Sequence, residues 1–353
     1  MALKNEYWRD RSVLVTGANG FVGSWVARVL VERGARVVAL VRDLPARGGL
    51  SLQGLLGRVD TVTGSLTDYS VVERALNEYG VEVCFHLAAQ AIVGVANRSP
   101  LSTFESNIRG SWNLLEACRV TKTVSRVVVA SSDKAYGEHS RLPYDEELEL
   151  KAAYPYDVSK AATDMLARSY FRTYGLPVAV TRCANIYGGG DLNYSRIVPD
   201  TIRALIQGRA PVIRSDGTPV RDYMYVLDTA EAYLCLAEQL DREGVAGEAF
   251  NFGTEKPVSV LELVNEIIAV SGRSGIQPQV IGRGKPAGEI DAQYLSSRKA
   301  RERLGWKPRH NLRSGLRESY LWYCDLMLQQ EVASLPQNRT HPVAAKPESE
   351  LVH

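Results

Sequence analysis

The sequence predicts an α/β protein: a doubly wound parallel sheet followed by a smaller α/β domain at the C-terminal end. Three observations carry this. Apolar, Val-rich segments alternate with amphipathic ones through the first half, and strands that are apolar along their whole length belong to parallel sheets covered on both faces. A glycine-rich turn links the first strand to the first helix. After about residue 186 the strand–helix rhythm breaks into glycine-rich loops and short elements.

In order, strands are predicted at Ser12–Thr16, Arg36–Val41, Val59–Thr63, Val83–Leu87, Arg126–Ala130 and Pro177–Arg182. The helices between them are Gly23–Arg33, Ser70–Tyr79, Asn107–Val120 and Val158–Tyr174. Right-handed crossovers turn this alternation into a doubly wound sheet. Helices at Val198–Gln207, Thr229–Gln239 and Ser259–Val270 follow. The expected division is residues 1–185 as the sheet domain, with 222–252 returning to it. Residues 186–221 and 253–330 form the smaller domain, and the polar stretch 331–353 is predicted disordered.

Composition narrows the partners. The 42 basic and 40 acidic residues nearly cancel, so neither nucleic acid nor an anionic membrane is an expected partner. The start has no long apolar core of a signal peptide, and no run of 18 uncharged apolar residues occurs. The five cysteines are scattered without a Cys-x-x-Cys pair, so no metal site or disulfide framework is expected. These features point to reduced core cysteines in a cytoplasmic protein.

Three motifs carry the chemistry. The first is Gly17-Ala18-Asn19-Gly20-Phe21-Val22-Gly23, at the first strand–helix junction. Gly17 permits a tight turn, Gly20 lets backbone approach a pyrophosphate, and Gly23 allows close helix–strand packing, with the helix N-terminus facing the phosphates. This is a Rossmann dinucleotide site, for which NAD is the expectation, with NADP left open. The end of the second strand carries both Arg42 and Asp43. An inward Asp43 favours NAD and an inward Arg42 favours NADP.

The second motif is Tyr156-Asp157-Val158-Ser159-Lys160. Tyr156 and Lys160 share one helix face, and an ammonium beside the phenol is expected to lower its pKa from about 10, making a base for a substrate hydroxyl. The third is Ser131-Ser132-Asp133-Lys134 at the end of a buried strand, where strand carboxyl ends meet the ligand crevice. Ser132 can bond a substrate oxygen and Asp133 can serve as an acid.

Together with Leu87-Ala88-Ala89-Gln90, these residues resemble the extended short-chain dehydrogenase/reductases, in their nucleotide-sugar epimerase and dehydratase branch. The resemblance runs over roughly residues 8 to 325. Ser132-Asp133-Lys134, Trp8, Gly23-Ser24-Trp25 and Glu289–Leu295 are most similar to the CDP-glucose 4,6-dehydratases. The resemblance implies a nucleotide-diphosphate-sugar substrate, bound by Asn185, Arg196, Arg214, Arg221 and Tyr294. It implies a cofactor held also by Ser65, Leu66 and Leu87–Gln90, and a homodimer or tetramer paired through two helices. The implied reaction oxidises C4 through Tyr156 and Ser132, eliminates water across C5 and C6 with Asp133 as acid, and returns hydride to C6. Lys134 stands where many such enzymes have Glu, and could be the C5 base only if neutral. A 4-epimerase, or a sugar-uronate decarboxylase, is the alternative outcome on the same fold.

Overall fold

A computed structural model of the chain describes residues 6–45, 47–283 and 290–334, the last four through their backbone alone. In chain order the first half runs β1 (Ser12–Thr16), α1 (Phe21–Glu32), β2 (Arg36–Val41), α2 (Gly49–Leu52), β3 (Asp60–Thr63), α3 (Tyr69–Glu78) and β4 (Val83–His86). It continues with α4 (Val93–Arg98), α5 (Pro100–Phe104), α6 (Gly110–Val120), β5 (Arg126–Ala130), α7 (Pro155–Tyr174) and β6 (Val178–Cys183). The second half holds β7 (Asn185–Tyr187), α8 (Ile197–Ile206), β8 (Val212–Ile213), β9 (Val220–Arg221), β10 (Tyr223–Tyr225), α9 (Val226–Glu238) and β11 (Ala249–Phe252). Last come β12 (Val258–Ser259), α10 (Val260–Ser271), β13 (Gln279–Val280), β14 (Ala292–Gln293), α11 (Arg298–Leu304) and α12 (Leu312–Ser334).

Seven strands form one sheet in the order β11-β6-β5-β4-β1-β2-β3, and every pairing in it is parallel. The predicted doubly wound α/β sheet is therefore present. Successive residues of β1 serve opposite faces, as the pleat requires. Val13 and Val15 enter a core with Trp25, Leu30 and Ala230. Leu14 enters another with Leu76, Leu115 and Ala167. Neither face is polar because helices cover both, which is why the strand shows no alternation in sequence. The order reverses between β1 and β4, where open α/β sheets leave a crevice beyond the strand carboxyl ends.

The chain after β6 contributes β11 to the sheet edge beside β6. It also builds small sheets, β12-β9-β14, β10-β7 and β13-β8, which stand over the crevice. Among the described residues no helix is long and apolar enough to cross a membrane.

Several helix boundaries differ from expectation; the helix predicted from Thr229 starts at Val226. α7 begins at Pro155, three residues before the predicted Val158. Proline pre-sets the helical φ at a first position whose N–H has no helical partner. The change puts Tyr156 and Asp157 inside the first turn. The predicted helix at Asn107–Val120 opens as a π-helical turn over Glu105–Arg109, with α6 proper starting at Gly110. α12 runs to Ser334, so the first four residues of the predicted tail are helical, while 335–353 lie outside the described residues.

Candidate active site

β1 ends at Thr16 and the chain turns at Gly17 with φ +71°, a conformation that favours glycine. A Cβ there would stand 2.7 Å from the Ala88 backbone nitrogen, so only glycine lets this turn meet the segment leaving β4. A Cβ on Gly23 would stand 2.2 Å from the Gly17 carbonyl oxygen, so α1 sits directly on the loop. Gly20 begins α1 without a side-chain cap, leaving amide N–H groups and the positive helix end toward the cavity. Asn19 braces the loop: its Oδ1 accepts from the Leu50 N–H at 3.1 Å and its Nδ2 donates to the Asp43 carbonyl at 3.1 Å. A dinucleotide cradle fits these residues.

The cradle opens into a cavity of about 1130 Å³, larger than a single drug-sized site requires. Its wall includes Gly17, Asn19, Gly20, Phe21, Val22, Gly23, Leu87, Ala89 and Gln90 at one end. Ser132, Asp133, Lys134, Tyr156 and Lys160 form its middle. Asn185, Arg196, Arg214 and Arg221 face it from the second half. Arg42, Asp43, Ser65, Leu66, Ala88 and Tyr294 are not among the residues that line it. Arg42 and Asp43 bond each other at 2.7 Å with both side chains mostly exposed, and the Ser65 hydroxyl pairs with Thr67 at 2.8 Å. The Tyr294 carbonyl accepts from the Tyr144 N–H at 2.9 Å.

The middle of the cavity is tightly braced. Ser132 ends the extended chain after β5 and donates to Asp133 Oδ1 at 3.1 Å, while accepting the Lys134 N–H at 3.2 Å. Lys134 Nζ donates to Gln293 Oε1 at 2.6 Å, and Gln293 Nε2 donates to the Asp133 carbonyl at 2.9 Å. Lys160 Nζ donates to the Ala130 carbonyl at 2.8 Å. Asp133 Oδ2 and Asn185 Nδ2 are buried with no partner among the described residues, an arrangement that calls for a ligand to complete it.

Charge in this region departs from one expectation. Tyr156 is not lowered by Lys160: burial pushes it up to about 12, against the opposing pull of the Ser132 hydroxyl and the Arg196 charge. Desolvation of a buried phenol disfavours the phenolate, and the Lys160 ammonium is committed to the Ala130 carbonyl. Burial also brings Lys160 down to about 8. Burial raises Asp133 above the usual carboxylate range, opposed by Lys134, Ser132 and Arg221. Lys134 faces the carboxyls of Asp133 and Asp157. Arg221 is buried. Its Nη1 donates to the Val220 carbonyl at 2.8 Å.

The sequence profile of the NAD dependent epimerase/dehydratase family matches residues 13–253. The chain belongs to this family. It is 28% identical to a CDP-glucose 4,6-dehydratase of Salmonella typhimurium, over 91% of this chain and 92% of that protein. A UDP-glucose 4-epimerase of Thermotoga maritima, solved with UDP-glucose, superposes with a TM-score of 0.81 at 30% identity, over 90% of this chain and 99% of that one. A dTDP-glucose 4,6-dehydratase of Bacillus anthracis, solved with NAD, gives 0.76 at 26% identity, over 89% and 97%. As an epimerase/dehydratase family member the protein is an NAD-dependent enzyme.

This family member carries supporting residues that the motifs did not reveal. His86 is fully buried between Thr16 Oγ1 at 2.8 Å and Ser111 Oγ at 2.9 Å. Ser111 spends its proton on the Asn107 carbonyl, so the network assigns His86 as the neutral Nε2–H tautomer. Burial brings its pKa down to about 3. Asn107, in the π-helical turn, donates to Ser159 Oγ at 2.9 Å and to the Gln90 carbonyl at 3.1 Å. Ser159 in turn donates to the Tyr156 carbonyl at 2.7 Å. Under the third motif lies a buried pair: Arg182 bonds Asp164 through two contacts of 2.8 and 3.0 Å and reaches the Tyr136 hydroxyl at 2.9 Å. The signal for all of these was polar residues at otherwise apolar strand and helix positions. Such residues become functional candidates only once their distant partners are known.

Proposed function

We propose that the protein is a nucleotide-sugar 4,6-dehydratase acting on a CDP-glucose-like substrate and yielding a 4-keto-6-deoxy sugar. Asp133 carries this reading. It is a buried carboxyl whose pKa burial raises, beside Ser132, with one oxygen unpartnered at the cavity. A protonated carboxyl is what a leaving 6-hydroxyl needs, and a simple epimerase has no use for one.

NAD held at Gly17, Gly20 and Gly23 by the N-terminus of α1 would supply a reversible hydride acceptor for C4. In its phenolate form, which Ser132 and Arg196 favour against burial, Tyr156 takes the proton of the 4-hydroxyl, with Ser132 bonding the same oxygen. Lys160 holds Tyr156's surroundings polar from below while anchored to β5. Asp133 delivers its proton to the 6-hydroxyl as the C6–O bond breaks. Arg196, Arg214 and Arg221 hold the diphosphate, which arginine geometry suits, and Asn185 bonds the sugar. Two copies pair through α6 and α7, whose outer faces leave Trp112, Met165 and Tyr174 at 44, 64 and 58% exposure.

Incubation with CDP-, UDP- and dTDP-glucose plus NAD, read by mass loss of one water, tests the reaction. Asp133→Asn is expected to lower dehydration by about 10²–10⁴-fold, the ordinary worth of a positioned acid. A second reading, 4-epimerisation, is favoured by the likeness to the Thermotoga maritima enzyme. It predicts interconverted hexoses with no water lost, and little effect of Asp133→Asn.

A further inference from the structure

Elimination across C5 and C6 needs two groups in opposite protonation states: an acid for the departing 6-hydroxyl and a base for the C5 proton. Asp133 is spent as the acid and Tyr156 at the 4-hydroxyl. An ammonium carries no lone pair, and Lys134 is engaged with Gln293 at 2.6 Å. Another carboxyl lines the same cavity. Asp157 follows Tyr156 in the first turn of α7, is 6% exposed, and among the described residues makes no hydrogen bond or ion pair.

Resting on the dehydratase reading above, we propose that Asp157 is the base that removes the C5 proton. Its carboxyl oxygens are open to the cavity. The first turn of a helix favours its ionised form. Burial raises its pKa to about 6, with the Lys134 ammonium opposing that rise and the Asp133 carboxyl adding to it. It is thus ionised at neutral pH yet more basic than an ordinary carboxylate, as a general base should be. Asp133 and Asp157 share the field of Lys134.

The step balances. The C5–H bond gives its electrons to a C5–C6 double bond and its proton to Asp157. The C6–O bond breaks onto oxygen, and Asp133 completes the water. The hydride taken from C4 then returns to C6, Asp157 gives a proton back to C5, and the proton Tyr156 took from the 4-hydroxyl replaces the one Asp133 gave to water. Lys134 is a positioning cation that keeps Asp157 ionised.

The test uses the whole chain with NAD and CDP-glucose, UDP-glucose and dTDP-glucose, each deuterated at C5. Wild-type enzyme is expected to release C5 deuterium to solvent and form the 4-keto-6-deoxy product. In Asp157→Asn, both should fall at least 100-fold while oxidation at C4, read as reduced nicotinamide at 340 nm, persists. Asp157→Glu should recover part of the loss. In wild type the exchange should fade as pH drops through about 6, and Lys134→Met should move that limb to higher pH, since the cation opposing protonation is gone. The wild-type profile needs no variant and stands if a substitution fails to fold. Dehydration and C5 exchange within threefold of wild type in Asp157→Asn would overturn the assignment. Their loss in Lys134→Met alone would transfer the role to the lysine. A wild-type enzyme that oxidises C4 but never loses water sinks the dehydratase reading itself and leaves no C5 proton to remove.

Discussion

Removing the Asp164 carboxylate should cost the fold several kilocalories. Arg182 and Asp164 face each other with side chains 1 and 0% exposed, joined by two contacts of 2.8 and 3.0 Å. Asp164→Ala leaves a guanidinium without its counter-charge, a change that costs about 3–5 kcal/mol. Unfolding entropy of about 2.1 cal/mol/K per residue makes about 0.7 kcal/mol/K for a chain this long. The melting temperature should therefore fall by about 4–7 °C. Thermal and urea unfolding followed by circular dichroism measure it. The double variant Asp164→Leu/Arg182→Met, which removes both charges, should recover most of the loss. A single variant within about 1 kcal/mol of wild type would refute the argument, since the full desolvation penalty of one charge must then be relieved some other way. Because Arg182 also holds the Tyr136 hydroxyl, the folded single variant should turn over more slowly.

Other perturbations give separate readings. Tyr156→Phe should abolish turnover yet keep the thermal stabilisation given by NAD, which ligand at 100 times its Kd sets at about 2.7 kcal/mol. Gly23→Ala, whose Cβ would sit 2.2 Å from the Gly17 carbonyl oxygen, should remove that NAD stabilisation. His86 has a folded pKa of about 3, below its ordinary 6.5. The unfolded chain binds the extra proton between those values, so its contribution is complete above about pH 6.5 and is lost as pH falls toward 3. Urea midpoints in wild type should drop over that window more steeply than in His86→Gln. Met165→Lys, on an exposed face of α7, should shift the mass seen by light scattering toward one chain if two copies pair there.

Much of the sheet was legible because covered parallel strands must be apolar, and Val13–Val15 or Val127–Val129 satisfy nothing else. The glycine turn was legible because the chain at Gly17 and Gly23 has no room for a side chain. Helix starts were less so: Pro155 opens α7, and the first turn there carries the very residues whose chemistry mattered. The pKa of Tyr156 was misjudged because helical spacing places Lys160 on the same face but says nothing of the Ala130 carbonyl that accepts its hydrogen bond. The Arg42–Asp43 pair could not be resolved by position in the strand, and in the fold the two side chains satisfy each other in solvent. Asn107, His86 and Arg182 were invisible because their partners lie 17 to 70 residues away.

Gln293 bonds both Lys134 and the Asp133 carbonyl from 159 and 160 residues away. The acid-bearing turn is thus finished by the last third of the chain. The two halves of such an enzyme are not freely interchangeable. A chimera joining this sheet to a foreign C-terminal segment would inherit the tyrosine, the lysine and the cofactor loop, but not the clamp that aims the acid. Its expected fate is a protein that keeps the cofactor loop but has lost the contacts that fix Asp133 at the cavity.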